Sequence, residues 1–176
     1  MAWEQTDFRS MARSCGLEPQ TALSGVPAQN ILPVLSQPSE PHWKMRFKGG
    51  FQDLFFLTTL DKTPLFAGSV CDLAKLQGYP AESVGVYIQP IVQGTSCHCE
   101  FSFYFDPANA EMTIGTRKMV EAGSADIGQR GGFFSRPYPP WKEIAYRNSP
   151  ATVAMQKKIK AIFDPKGILN PGKLCF

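Results

Sequence analysis

The sequence predicts an α+β fold in the ferredoxin-like order β-α-β-β-α-β, an antiparallel sheet with both helices on one face, followed by a C-terminal helix and a turn-rich tail. Three observations lead there. Residues 51 to 60 form an apolar run with large side chains on both faces, and residues 97 to 105 alternate strictly between small or aromatic and polar side chains. Between and after these runs lie segments whose apolar residues recur at helical spacing.

Residues 1–50 are an irregular lead-in, rich in Pro, Gly, Ser and Gln, in which only about residues 4 to 15 have helical character. So long a segment without periodicity is unusual inside an independent domain, and it reads as chain laid across a larger body. Residues 51–140 form the α+β domain. Its first strand, Phe51 to Leu60, places Leu54 and Phe56 on one face and Phe55 and Leu57 on the other, the pattern of a strand covered on both sides. Thr63-Pro64 is a helix start, with Thr63 as N-cap and Pro64 at the first helical position. Phe66, Val70, Leu73 and Leu76 line one side of that helix, and Gly78 ends it. Val84 to Val92 is the second strand, joined through Gln93-Gly94-Thr95-Ser96 to the third, Cys97 to Phe105. A helix at about 109 to 128 follows, with Met112, Met119, Val120 and Ile127 as its stripe, and residues 131 to 135 make a short fourth strand. Residues 141–176 hold the last helix, started by Ser149-Pro150, with Met155, Ile159, Ile162 and Phe163 as a buried stripe, and a tail of tight turns from Asp164-Pro165 to Asn170-Pro171-Gly172-Lys173.

Composition removes several classes of function. The net charge is +3 over 176 residues, with no run of five or six basic residues, so nucleic acid is not the expected partner. Lys157, Lys158 and Lys160 read as the solvated face of the last helix. Five cysteines without scaffold spacing, and a start (Met1-Ala2-Trp3-Glu4-Gln5) with no basic-then-apolar leader, point to a reduced cytoplasmic protein. No apolar segment approaches the length of a membrane span.

The third strand is the place to look for chemistry. Alternation sends Cys97, Cys99, Phe101, Phe103 and Phe105 to the helix-covered face and His98, Glu100, Ser102 and Tyr104 to the other. His98 and Glu100, two residues apart on one face, can move a proton or hold a substrate hydroxyl; a plain wet surface is the alternative. Cys97-His98-Cys99 resembles a metal cluster, but alternation turns His98 away from both thiols, so buried core cysteines are expected and no metal site. Arg136, between Phe133-Phe134 and Pro137, sits where the chain leaves the sheet. It presents its guanidinium either to an anion or ring carbonyl or to a surface carboxylate.

Several motifs together carry a resemblance. Gly49-Gly50-Phe51-Gln52-Asp53-Leu54-Phe55-Phe56-Leu57, Tyr87-Ile88-Gln89-Pro90, His98-Cys99-Glu100-Phe101, Phe133-Phe134-Ser135-Arg136-Pro137-Tyr138 and the tail Asp164-Pro165-Lys166-Gly167-Ile168-Leu169-Asn170-Pro171-Gly172-Lys173 resemble, in order, the cap and C-terminal regions of FAD-linked oxidases of the vanillyl-alcohol oxidase and p-cresol methylhydroxylase superfamily. The resemblance implies an oxidoreductase, a flavoprotein whose cap closes over the flavin ring of FAD while the last segment returns to an FAD-binding domain. It implies catalytic roles for Arg136, Glu100, His98 and Tyr138, and cofactor contacts from Arg136, Asn170 and Lys173. The expected substrate is a small alcohol, phenol or hydroxy acid. Two departures stand out. Pro139-Pro140 follows Tyr138 where the family commonly has Gly, and no Gly-rich strand-to-helix turn able to cradle a pyrophosphate is found. The FAD-binding half is therefore expected on a partner domain or subunit, with activity only in that combination and oligomer formation possible. The alternative expectation is a truncated product or non-catalytic interaction subunit that keeps the cap fold.

Overall fold

The computed structural model describes residues 2–20, 24–37, 40–91 and 95–176. The chain divides into two units, Met1–Trp43 and Lys44–Phe176. The first carries helices α1 (Ala2–Ser14) and α2 (Ala28–Ser36). The sequence predicts only α1. In α2, Pro27 supplies an extended residue before the first turn, and Pro33 sits inside the helix, removing one backbone donor from its ladder.

The second unit begins with a single turn, α3 (Met45–Lys48), followed by β1 (Gly50–Thr58), α4 (Thr63–Leu76), β2 (Gly85–Ile91), β3 (Ser96–Phe105), α5 (Ala110–Gln129), α6 (Lys142–Tyr146) and α7 (Pro150–Phe163). The fold is α+β, as predicted. The sheet is antiparallel in the order β1-β3-β2, with Leu54 opposite Phe101 and Phe55 opposite Glu100 on one side of β3, and Tyr87 opposite Glu100 on the other. The predicted turn at Gln93-Gly94 lies outside the described residues.

The predicted fourth strand contracts to one bridge. Leu57 and Phe133 exchange both backbone hydrogen bonds, at 2.8 and 2.9 Å, and no further pair forms between residues 131–135 and β1. The reason is local. Gly131 turns the chain at φ +90°, and Gly132 passes so close to α5 that an added Cβ would lie 2.3 Å from Ile127 Cγ2. Phe134 then turns into the core, and Pro137, which lacks an N–H, carries the chain away. Only Phe133 has room to pair.

Helices α4 and α5 cover one face of the sheet, with Leu54, Phe56, Cys97, Cys99, Phe101 and Phe103 meeting Phe66, Val70, Ala74, Met119, Val120 and Ile127. Burying one such phenylalanine contributes about 1.5–3 kcal/mol, and Phe56, Phe66, Phe101 and Phe103 are all fully buried. The predicted start of α4 shifts by one residue. Thr63 lies inside the first turn, where its hydroxyl donates back to Leu60 O at 2.8 Å and caps nothing. Asn109 is a true cap of α5, its Oδ1 accepting the Met112 N–H at 3.0 Å. The stripe of α7 is apolar as predicted but not buried: Met155, Ile159, Ile162 and Phe163 are all exposed, the last by 80%. Helical spacing identifies an apolar face but not what covers it.

Candidate functional site

The sheet face opposite α4 and α5 carries a connected row of polar side chains. Asp53 on β1 and Ser102 on β3 are cross-strand neighbours, and the Ser102 hydroxyl donates to Asp53 Oδ1 at 2.6 Å. Lys44, just before α3, lays its Nζ between two carboxylates. It donates to both Asp53 oxygens at 2.9 Å and to Glu100 Oε1 at 2.5 Å. Its side chain is only 9% exposed. Glu100 Oε2 lies 3.7 Å from His98 Nε2. The row therefore runs Ser102, Asp53, Lys44, Glu100, His98. Burial, the largest single influence on Lys44, pulls its pKa down, but hydrogen bonds and charge from Glu100 and Asp53 outweigh it and the net shift is upward. The ammonium is a permanent charge across the physiological range.

Aromatic rings organise the near end of this row. His98 stacks on Phe55 with centroids 5.9 Å apart and lies 6.2 Å from the Tyr87 ring. The Arg136 guanidinium sits over the same Phe55 ring at 5.2 Å, and Trp141 meets that ring edge-on at 4.5 Å. Trp141 is itself anchored, stacked on Phe134 at 5.6 Å with its indole N–H donated to the buried Ser124 hydroxyl at 2.8 Å. Phe55 is thus a shared platform, fixed from behind by Trp141. Arg136 is exposed and, among the described residues, has no carboxylate partner.

The predicted site residues separate into two groups. His98, Glu100 and Arg136 gather around Phe55. Tyr138 joins the tail instead: the Lys173 ammonium lies 5.0 Å from the centre of its ring, and Asn170, at φ +48°, accepts the Lys173 N–H through its carbonyl. The predicted apolar setting of Cys97 and Cys99 is found, both fully buried on the helix side, and burial with the neighbouring Cys97 pushes the Cys99 thiol up to about 11. No metal-holding cluster exists among the described residues. Lys44, Asp53 and Phe55 are the members sequence reasoning did not assign. Asp53 was legible, because strand alternation puts it on the face of His98 and Glu100 once β1 pairs with β3. Lys44 was not, since it lies before the first strand in a segment without periodicity.

The tail after α7 is a built turn. Asp164, buried, accepts the N–H groups of Ile168 and Leu169 at 2.9 and 2.8 Å. Lys160, one turn earlier, donates to Asp164 Oδ2 at 2.5 Å and also to the Leu169 carbonyl. This hydrogen bond from Lys160, opposed by burial and helped by the Leu169 and Ile168 N–H groups, holds the Asp164 carboxyl below its ordinary value. Ile168 and Leu169 are exposed, as are Ile162 and Phe163 at the end of α7.

Comparison with known proteins bears on that segment. Residues 140–174 match the C-terminal domain of FAD linked oxidases. A D-2-hydroxyglutarate dehydrogenase of Stutzerimonas stutzeri (strain A1501) is 52% identical over 52 residues, a stretch covering 30% of this chain and 10% of that protein. These findings support a relationship with the FAD-linked oxidases, and the cofactor they imply is FAD. The described residues fit one side of that group. An exposed guanidinium with no carboxylate partner, beside a polar row, suits the heteroatom edge of a flavin ring. Nothing described suits the pyrophosphate: Gly49-Gly50 leads into a strand, and Gly131-Gly132 leaves the end of α5 rather than opening a helix. No helix among the described residues is long and apolar enough to cross a membrane.

Proposed function

We propose that this chain is the cap and C-terminal portion of an FAD-dependent oxidoreductase that oxidises a small hydroxylated substrate, with FAD held by a domain or subunit beyond these residues. The observation that carries this reading is the convergence of Arg136 and His98 on Phe55, in a chain whose last helix and tail match FAD-linked oxidases. When bound, FAD supplies the acceptor for the hydride lost from the substrate carbon. The residues of this chain supply the rest. Arg136 binds a carboxylate or developing oxyanion through its planar fork of donors. His98 accepts the proton of the substrate hydroxyl, and Glu100 holds the imidazole and stabilises its positive charge. Tyr138, Asn170 and Lys173 fix the returning tail beside the cofactor. Among the candidate substrates, a hydroxy acid is favoured over a phenol or simple alcohol, because the guanidinium suits a carboxylate and the matched relative is named for a hydroxy acid. The narrower kinship with the vanillyl-alcohol oxidase and p-cresol methylhydroxylase superfamily belongs to this proposal.

The test is to combine the chain with a candidate FAD-binding partner and follow flavin bleaching without oxygen. Bleaching by a 2-hydroxy acid is the expected result. A stable complex that bleaches with no hydroxy acid, alcohol or phenol would instead establish the second reading, a non-catalytic interaction subunit. The exposed apolar stripe of α7 favours complex formation under either reading.

A further inference from the structure

We infer that Lys44 is a positioning residue for the His98–Glu100 pair: by occupying Glu100 Oε1 and sharing itself with Asp53, it turns Glu100 Oε2 toward His98 and sets the charge against which the imidazole gains or loses a proton. This deepens the function proposed above and rests on it for its significance, but its geometry is independent of any flavin. The Lys44 side chain is nine-tenths buried against the sheet face, with three of its hydrogen bonds going to the two carboxylates. A lysine that only decorated a surface would not be desolvated to that degree, since burial opposes its charge and only close carboxylates offset it.

The consequence follows from counting charges. With Lys44 present, Asp53 and Glu100 leave a net charge of about −1 on this patch; without it, about −2, and the carboxylate that Lys44 engages has its other oxygen 3.7 Å from His98 Nε2. The groups around His98 are Glu100 beside it on β3, Tyr87 on β2, Phe55 on β1 with Arg136 above its ring, and Lys44 and Asp53 behind Glu100. Of these, only Lys44 touches both carboxylates. Glu100 therefore has Oε1 engaged by Lys44 and only Oε2 facing His98. The group left to exchange a proton with a ligand on this face is His98. Lys44 sets how firmly His98 holds that proton.

The experiment is an NMR titration of the isolated full chain labelled with ¹³C in histidine. The chain has two histidines, His42 and His98, and His98→Gln assigns the signals. In Lys44→Met the His98 midpoint should rise by about one pH unit, less than the fully buried limit because His98 and Glu100 are one-fifth exposed. Lys44→Arg, which keeps the charge, should stay near wild type. Lys44→Met with Asp53→Asn restores the original net charge and should return the midpoint toward wild type. A midpoint in Lys44→Met within about 0.2 units of wild type, or an equal rise in Lys44→Arg, would overturn the inference, because a purely structural lysine changes packing and not the imidazole's titration. Should Lys44→Met not fold, Asp53→Asn decides. Asp53 hydrogen-bonds Lys44 and Ser102, so freeing the ammonium to serve Glu100 alone should lower the His98 midpoint, and no change would refute the linkage. Failure here concerns Lys44 alone; failure of the flavin bleaching test concerns the function.

Discussion

The hydrogen bond from the Trp141 indole to Ser124 joins the C-terminal segment to α5, and its removal is the sharpest test of how the site is held. Trp141 is 7% exposed and Ser124 fully buried. The Ser124 hydroxyl accepts from the indole at 2.8 Å while donating to Val120 O, one turn back, at 2.6 Å. Ser124→Ala strands a buried N–H, at a cost of about 1–3 kcal/mol. Alanine's better helix propensity returns roughly 0.5 kcal/mol, leaving a net loss of about 0.5–2.5 kcal/mol. At about 4 °C per kcal/mol for a domain of this size, the midpoint should fall by roughly 2–10 °C. In a Trp141→Phe background the donor is gone, so Ser124→Ala should be neutral or slightly stabilising, and the double-mutant cycle should show a coupling of about 1 kcal/mol or more. Urea denaturation by far-ultraviolet circular dichroism gives the energies. Tryptophan fluorescence adds a check, because Trp3 and Trp43 are exposed and Trp141 is the buried emitter. Equal loss from Ser124→Ala in both backgrounds would refute the reasoning and reduce Trp141 to a packing residue. The stakes reach the site, since Trp141 backs the ring on which His98 and Arg136 rest.

Three further outcomes are expected. Asp164 has a folded pKa held below its unfolded value near 3.9, so its contribution is complete above that value and is lost as the pH falls through the folded pKa. Protection of the Ile168 and Leu169 amides, the exchange rate taken relative to an unstructured chain at the same pH, should fall on acidification below about pH 4, and Asp164→Asn should show lost protection already at neutral pH; unchanged protection in the variant would dismiss the latch. Cys99, with its thiol pushed up to about 11 and no exposed surface, should resist alkylation in the native chain at pH 8 while the exposed Cys15 reacts, and rapid native labelling of Cys99 would contradict the core packing. The exposed Ile162, Phe163, Ile168 and Leu169 should bind a hydrophobic dye, and Ile162→Ser with Phe163→Ser should reduce that signal; a wild-type chain that binds no dye, or a variant with unchanged signal, would count against an apolar docking face.

What was legible in the sequence followed the reach of each signal. Strand alternation assigned Cys97, Cys99, Phe101 and Phe103 to the core and His98 and Glu100 to the other face, because period two is enforced by the backbone whatever surrounds it. It thereby separates His98 and Glu100 from Cys97 and Cys99, which is why Cys97-His98-Cys99 is not expected to hold a metal by itself. The fourth strand is shorter than predicted because its length depends on tertiary space: a turn at Gly131, the close approach of Gly132 to α5 and a proline four residues beyond the bridge leave room for one pair. α2 was missed because Pro33 reads as a helix breaker. Lys44 was illegible for a different reason. A side chain that crosses from one segment to a sheet face leaves no periodic trace, and only the contact itself reveals it.

The exposed stripe of α7 and the engaged carboxylates of the sheet face belong to one argument about where this unit needs company. Its helix-covered core is complete, with no buried side-chain nitrogen or oxygen left without a hydrogen-bond partner among the described residues. Its polar row is internally paired, so the sheet face is preorganised and needs no ligand to hold it. Two features open to a partner are of different kinds: an apolar one, the exposed Ile162, Phe163, Ile168 and Leu169, and a cationic one, Arg136 on its aromatic platform. An apolar surface gains by burial against a protein, whereas an exposed guanidinium gains by meeting an anion or a polarised oxygen. A single partner that covered the first and presented an electron-rich ring to the second would satisfy both, which is the division of labour expected between this chain and an FAD-binding body. Replacing Ile162 and Phe163 should therefore weaken assembly while leaving the chain folded. Arg136→Lys should leave assembly intact and slow turnover by on the order of 10²–10³, because lysine keeps the charge but loses the planar fork. If Arg136→Lys instead weakened assembly as much as the α7 changes, the guanidinium would be an interface anchor and the catalytic role proposed for it would fall.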